Sequence, residues 1–255
     1  MRLFASNLFS LGIYILIKTI SMTHILFPAS RCGALLAPVL LILAGCNDAE
    51  NTPAAGKLNI VHVASAVPTS VNARVDDQTA KSLYYGQSTG YTELSAGAHT
   101  LEVEAASTPS NLVSVPLTIN SRKFHSVYIY NSSPTQVAAL SLTDDLTIPS
   151  AGKAHLRFIN LGYEAPRITL TNSKAGTSPY APDVAFRNNT GFLVVDPDTV
   201  TLRAVQPGGS VVATTSQPSI LRAGKLYNVV LRGAAATATT PGSLALSVEE
   251  LQPAN

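Results

Sequence analysis

The sequence predicts an all-β protein: two tandem Ig-like, Greek-key β-sandwich domains behind a lipoprotein signal peptide and a short linker. Three observations carry that expectation. From Leu58 onward apolar and polar residues alternate with period two in one short segment after another, which is the pattern of half-buried strands. Thr89-Gly90-Tyr91 returns as Thr190-Gly191-Phe192, 101 residues later, inside a longer internal repeat. An apolar run ends abruptly at Leu43-Ala44-Gly45-Cys46, before the polar stretch that begins at Asn47.

The last of these looks like a lipobox, with a branched apolar residue three positions before the cysteine and small residues beside it. Cleavage there would leave an acylated Cys46 as the first residue. A single acyl chain binds a membrane only marginally, whereas two or more anchor stably. The leader is therefore set apart from the fold. Its apolar segment is Gly33 to Ala44, flanked by Arg31. A second apolar run, Leu8 to Ile20, lies upstream and is interrupted by Ser10, Lys18 and Thr19. Read as a membrane span from Leu3 to Ile20, it is polar also at Ser6 and Asn7 and barely reaches the roughly 20 residues a span needs. A start at Met22 would give a leader of ordinary length, with residues 1–21 an over-extended gene model. Residues 46–56 then form the acylated cysteine and tether, and Asn47, rather than Asp, follows Cys46. The expected address is the outer membrane, on its periplasmic face or at the cell surface.

Of 17 basic residues, Arg2, Lys18 and Arg31 belong to the leader, which leaves 14 against 15 acidic ones in the mature part. No polybasic patch survives, so nucleic acid is not an expected partner. Both cysteines, Cys32 and Cys46, are used up by the leader and the lipid. No disulfide supports the body, and apolar burial must hold it together.

Strands are expected near Leu58–Ala64, Val71–Val75, Leu83–Tyr85, His99–Ala105, Val113–Ile119, Phe124–Tyr130 and Val137–Leu142. In the fourth of these, Leu101, Val103 and Ala105 face one way and Thr100, Glu102 and Glu104 the other. A second set follows at Ala154–Asn160, Arg167–Thr171, Val184–Phe186, Leu193–Val195, Thr199–Val205, Val211–Thr215, Ser219–Leu221, Leu226–Arg232 and Leu244–Leu251. No segment holds a helical period, and Pro and Gly recur too often for long helices. The repeat offset stays between 96 and 102, matching Lys57 with Lys153 and Val127 with Val229. One copy spans residues 57–149 and the other 153–251, divided at Pro149-Ser150-Ala151-Gly152. Short strands at this density in each copy are the signature of a sandwich.

Tyr85 to Ala105, YGQSTGYTELSAGAHTLEVEA, and Gly152 to Pro166, GKAHLRFINLGYEAP, resemble the bacterial envelope domain known as domain of unknown function 4397. Val61-His62 in the first opening strand, His125 where Tyr is usual, and Asp196-Pro197-Asp198 in place of an Ala-Gly turn depart from its pattern. The resemblance implies a tandem pair of sandwiches on a lipoprotein, and it implies no reaction.

No catalytic constellation stands out. His62, His99, His125 and His155 fall on four different expected strands without metal-ligand spacing. Asp76-Asp77, Asp144-Asp145 and Asp196-Pro197-Asp198 sit in expected turns, where Asx hydrogen bonds account for them. Calcium would want six to eight oxygens. A Ser-His-Asp site assembled from distant loops stays open, though no motif points to one. No cofactor is expected. Tyr84, Tyr85, Tyr91, Tyr128 and Tyr130 are the candidate binding surface, able to stack on an envelope polysaccharide or a protein partner if exposed, and core residues otherwise. The expected function is a non-catalytic structural or binding module. The alternatives are an envelope-polymer hydrolase, or an adhesion or assembly subunit that uses an exposed edge strand. Replacing Cys46 with Ser is expected to release the protein from the envelope and remove the lipid mass. Retention at unchanged mass would contradict the anchor.

Overall fold

The computed structural model describes residues 54–66, 70–108, 110–165, 167–234 and 244–252. Leu43, Ala44, Gly45 and Cys46, with the leader and most of the tether, lie outside the described residues. Among the described residues every regular element is a strand.

The first eight are β1 (Gly56–His62), β2 (Ser70–Val75), β3 (Lys81–Tyr84), β4 (Thr92–Leu94), β5 (Gly97–Ala105), β6 (Asn111–Ile119), β7 (Phe124–Asn131) and β8 (Val137–Asp144). They form two four-stranded sheets, β4-β1-β7-β8 and β3-β2-β5-β6. The rest are β9 (Ala154–Asn160), β10 (Arg167–Asn172), β11 (Ala181–Ala185), β12 (Leu193–Val195), β13 (Asp198–Val200), β14 (Leu202–Val205), β15 (Val211–Thr214), β16 (Ser219–Leu221), β17 (Leu226–Arg232) and β18 (Ala245–Leu251). Their sheets are β12-β9-β17-β18, β11-β10-β14-β15 and the small pair β13-β16.

The strand order is the same in both halves, down to a parallel central pair. β1 runs parallel to β7, with Asn59 beside Ser126, and β9 runs parallel to β17, with Arg157 beside Asn228. The halves differ where β5 and β6 run unbroken. Their counterparts are each divided, between β13 and β14 at Thr201 and between β15 and β16 near Pro218. Pro218 has no N–H to give a ladder, and the Leu202 amide donates to Thr215 Oγ1 at 3.1 Å instead. The single strand expected over Thr199–Val205 is therefore two. β4, Thr92–Leu94, was not among the strands expected from the sequence.

The repeated Thr-Gly-aromatic motif does the same work in both places. Thr89 Oγ1 accepts from the Ile60 amide and donates to the Gly90 carbonyl, as Thr190 Oγ1 does with Phe158 and Gly191. Gly90 and Gly191 take φ of 65° and 66°, the left-handed region that glycine enters without strain.

Three apolar clusters lie between four successive sheets. One joins Leu58, Val71, Leu101, Val127 and Ile129 between the two sheets of the first half. Another joins Leu156, Phe158, Ile168, Leu202 and Val229 between the large sheets of the second. The third, Val61, Val63, Tyr128, Tyr130, Ile159, Leu161 and Val230, draws on both halves. It packs the free face of β1 and β7 on that of β9 and β17. These four strands are thus buried on both faces, which explains runs such as Val127-Tyr128-Ile129-Tyr130 that alternate poorly.

A polar network crosses the same seam. Arg157 Nη2 donates to Asp144 Oδ1 at 2.5 Å, with both side chains at most 3% exposed. Tyr91 Oη and Ser126 Oγ donate to Asp144 Oδ2 at 2.7 and 2.6 Å. Arg157 Nε donates to Asn228 Oδ1 at 2.9 Å, and Asn228 Nδ2 donates to Tyr128 Oη at 2.8 Å. The guanidinium also lies 4.7 Å over the Phe192 ring. Burial foremost holds both phenols, Tyr91 and Tyr128, well above the usual tyrosine range, so they remain donors.

A buried charge deprived of its partner costs about 3–5 kcal/mol, whereas a well-packed apolar pair in place of both charges is often neutral. Asp144→Ala is therefore expected to lower stability by about that amount in urea unfolding. Asp144→Leu combined with Arg157→Met should recover most of it. A single variant within about 0.5 kcal/mol of the natural protein would contradict a closed buried pair.

Candidate functional site

The five tyrosines proposed as one surface are not together on it. Tyr128 and Tyr130 are buried, at 0% and 1% exposure, because β7 is covered on both faces. Tyr91 is half-buried and bonded to Asp144. Tyr84 and Tyr85 remain exposed, at 59% and 36%. The binding surface as drawn from the sequence is corrected accordingly.

The histidines are dispersed too. His125 is buried and its Nε2 accepts from the Asn120 amide at 3.1 Å. His155 lies beside Phe192, with ring centroids 6.4 Å apart. Among the described residues, no group of three His, Cys, Asp or Glu side chains is placed to hold a metal ion. Asp196 pairs with Lys153, and Asp198 with Lys174. Glu102, expected on the open face of β5, meets Arg74 across the β2–β5 ladder.

The structure does assemble a serine, a histidine and an aspartate. The β2 and β5 ends bring Asp76 Oδ2 within 2.6 Å of His99 Nδ1, and Ser95 Oγ lies 3.4 Å from His99 Nε2. In a nucleophilic triad Nε2 must be free to take the serine proton. Here it lies 2.8 Å from the Ser95 carbonyl oxygen, which is only an acceptor. With Nδ1 facing a carboxylate and Nε2 a carbonyl, the ring donates from both nitrogens. Burial pulls the His99 pKa down, but the Asp76 and Ser95 bonds outweigh it and hold the ring above the usual histidine value. The His99 bond, followed by the Thr100 amide, holds Asp76 below the usual carboxylate range. The trio is an imidazolium clamp between two turns, and Ser95 has no base.

An aromatic recess that the sequence did not announce lies in the second half. Tyr163, Glu164, Ala165, Ala185 and Phe186 line an open trough of about 330 Å³. The Tyr163 and Phe186 rings stand edge to face, with centroids 6.4 Å apart, and Phe186 meets Tyr130 at 6.0 Å in the same way. The Tyr163 amide donates to the Gly233 carbonyl at 2.9 Å, which fixes the loop after β9 against the end of β17. A hydrogen bond with Glu164, aided by burial, raises the Tyr163 pKa, so the phenol stays protonated beside a carboxylate. Sequence reasoning missed this site, although Phe186 stands 101 residues after Tyr85 and was legible as its repeat mate.

The profile of a family described as domain of unknown function (DUF4397) matches residues 56–171, from β1 into β10. No curated protein matches the sequence. Among solved structures, CBMbc, a family CBM26 module of Eubacterium rectale Amy13K in complex with maltoheptaose, is 9% identical. It covers 77% of this chain and 98% of its own, with a TM-score of 0.27. A tip fimbrial protein of Porphyromonas gingivalis with a C-terminal truncation is 10% identical over 77% of this chain and 99% of its own, with a TM-score of 0.25.

The clamp sets a pH dependence. The stability that His99 adds is complete below its unfolded pKa of about 6.5 and is lost as pH rises through the higher folded value. The stability Asp76 adds is present above about 3.9 and is lost as pH falls through its lower folded value. The gap in urea midpoint between the natural protein and His99→Gln should be widest at about pH 4–6.5 and narrow toward pH 9. Ser95 should resist a fluorophosphonate. Labelling at Ser95 would reverse the assignment.

Proposed function

We propose that the protein is a lipid-anchored component of the outer membrane, with two tandem copies of the DUF4397 sandwich, acting as a non-catalytic module that binds envelope polysaccharide. The Leu43-Ala44-Gly45-Cys46 pattern with Asn47 behind it supports the anchor. The shared strand order and the paired Thr89 and Thr190 bonds support tandem copies.

The trough of Tyr163, Glu164 and Phe186 carries the binding reading. A sugar ring has an apolar C–H face and a rim of hydroxyls. Two aromatic side chains suit the face, and an adjoining carboxylate accepts from the rim. The recess is shallow and open, as suits a chain that passes through. The clamp at His99 argues against the hydrolase reading, because its Nε2 is held by the Ser95 carbonyl.

A second reading rests on β8. It is an edge strand of eight residues that carries no charge before Asp144 and no proline. Edges of that kind are the ones that accept another strand. β6, also long, carries Pro116 and a register shift against β5.

Titration of the purified protein with solubilised envelope polysaccharide should give saturable heat. Tyr163→Ala should weaken that binding by about tenfold or more, the size of one aromatic anchor. Unchanged binding in Tyr163→Ala would remove the trough from the account.

A further inference from the structure

The seam between the halves has an approximate two-fold relation, and its two ends are built differently. By strand register, β1 and β7 of one half correspond to β9 and β17 of the other, so that His62 matches Asn160 and Tyr130 matches Arg232. Tyr85 likewise matches Phe186 in the loop that follows. At one end Phe186 reaches across to Tyr130, ring on ring, at 6.0 Å. At the other Tyr85 reaches across to Arg232, whose guanidinium carbon sits 4.4 Å from the ring centroid.

The polar groups at the two ends have opposite fates. Asn160 is satisfied: its Nδ2 donates to the Ala165 and Val184 carbonyls at 2.9 and 3.0 Å, and its Oδ1 accepts from the Gly162 amide at 3.2 Å. His62 is fully buried, yet its Nε2 has no hydrogen-bond partner, and neither have Nε and Nη1 of Arg232. The Ala64 amide donates to His62 Nδ1 at 3.4 Å, which places the ring proton on Nε2. All three orphans are therefore donors. Both residues face Tyr85, whose ring is 6.1 Å from that of His62. Burial first, and the nearby Arg232 charge second, lower the His62 pKa to about 4, so the ring is neutral at physiological pH.

Each unmade buried hydrogen bond is costly, and at the Phe186 end the seam closes on the Tyr130 ring, with the Arg187 guanidinium carbon 5.9 Å from its centroid and Asn160 fully bonded. Packing does not call for three donors without an acceptor. We infer that His62 and Arg232, under the Tyr85 ring, form a binding site for a carboxylate, an acceptor-only group that takes the N–H bonds of His62 Nε2 and of the Nη end of Arg232, the Nε–H pointing from the opposite edge of the guanidinium. A planar guanidinium binds a carboxylate through two parallel bonds, and His62 Nε2 supplies a third. Tyr85 is 36% exposed, lies over the guanidinium and accepts a hydrogen bond from it, so a carboxylate would reach the donors by displacing that ring. Gly86 leaves the guanidinium room: a Cβ there would come within 2.9 Å of Arg232 Nη1.

The test is a titration with acetate, followed through the His62 ring N–H by nitrogen-15 NMR, with acetamide as the uncharged control. Acetate should shift the resonance saturably and acetamide should not. Arg232→Met should abolish the response. His62→Asn, the residue found at the matching position, should abolish the matching change in the Tyr85 ring signals and serves if the first variant does not fold. Galacturonate and N-acetyl-dialanine then tell a sugar acid from a peptide terminus as the source of the carboxylate. No saturable shift with acetate, or an equal shift with acetamide, overturns the site and leaves the donors to an ordered water only.

Discussion

The carboxylate of Asp144 and the guanidinium of Arg157 meet where two sheets turn their faces to each other, and both are cut off from water. Asp144 ends β8 and Arg157 lies in β9, so the contact ties together strands that are neighbours in sequence but belong to different sheets. Tyr91, Ser126 and Asn228 complete the shell, so that each charge is matched by partners from both halves. Buried charges are tolerable only with such completeness. The apolar third cluster around Tyr128 and Tyr130 can then close beside them without trapping an unpaired charge.

This seam decides what the rest of the surface has left to offer. It consumes the two aromatic residues on β7 that the sequence placed with the other tyrosines. It also orients the loop aromatics, Tyr85 and Phe186, toward the opposite half. One of these sits at the edge of an open trough beside Tyr163, and the other covers Arg232. The halves share their strand order, and the seam's two ends are among the places where they differ.

Much of the fold was legible. Ala154–Asn160, Ser219–Leu221 and Leu226–Arg232 are strands with the bounds that alternation and turn residues suggest. The Thr-Gly-aromatic repeat marked a real and repeated hydrogen-bond motif. What the sequence hid was the third core. Tyr128 alternates with Val127 and Ile129 as an outward residue should, and nothing in one strand's period says that outward means against another sheet. The clamp of Ser95, His99 and Asp76 was equally hidden, because 23 residues separate His99 from Asp76 and only the β2–β5 ladder joins them. The trough needed the loop after β9 to meet the end of β17, a contact that no local pattern announces.

The central claim is that the two halves share a core and open together. Native-state amide hydrogen exchange on β7 and β17 measures this directly. The account predicts that Tyr128, Ile129, Val229 and Val230 exchange only through global unfolding, with a common free energy and a common denaturant dependence. Exchange of β17 through a separate, cheaper opening, with β7 still protected, would contradict it.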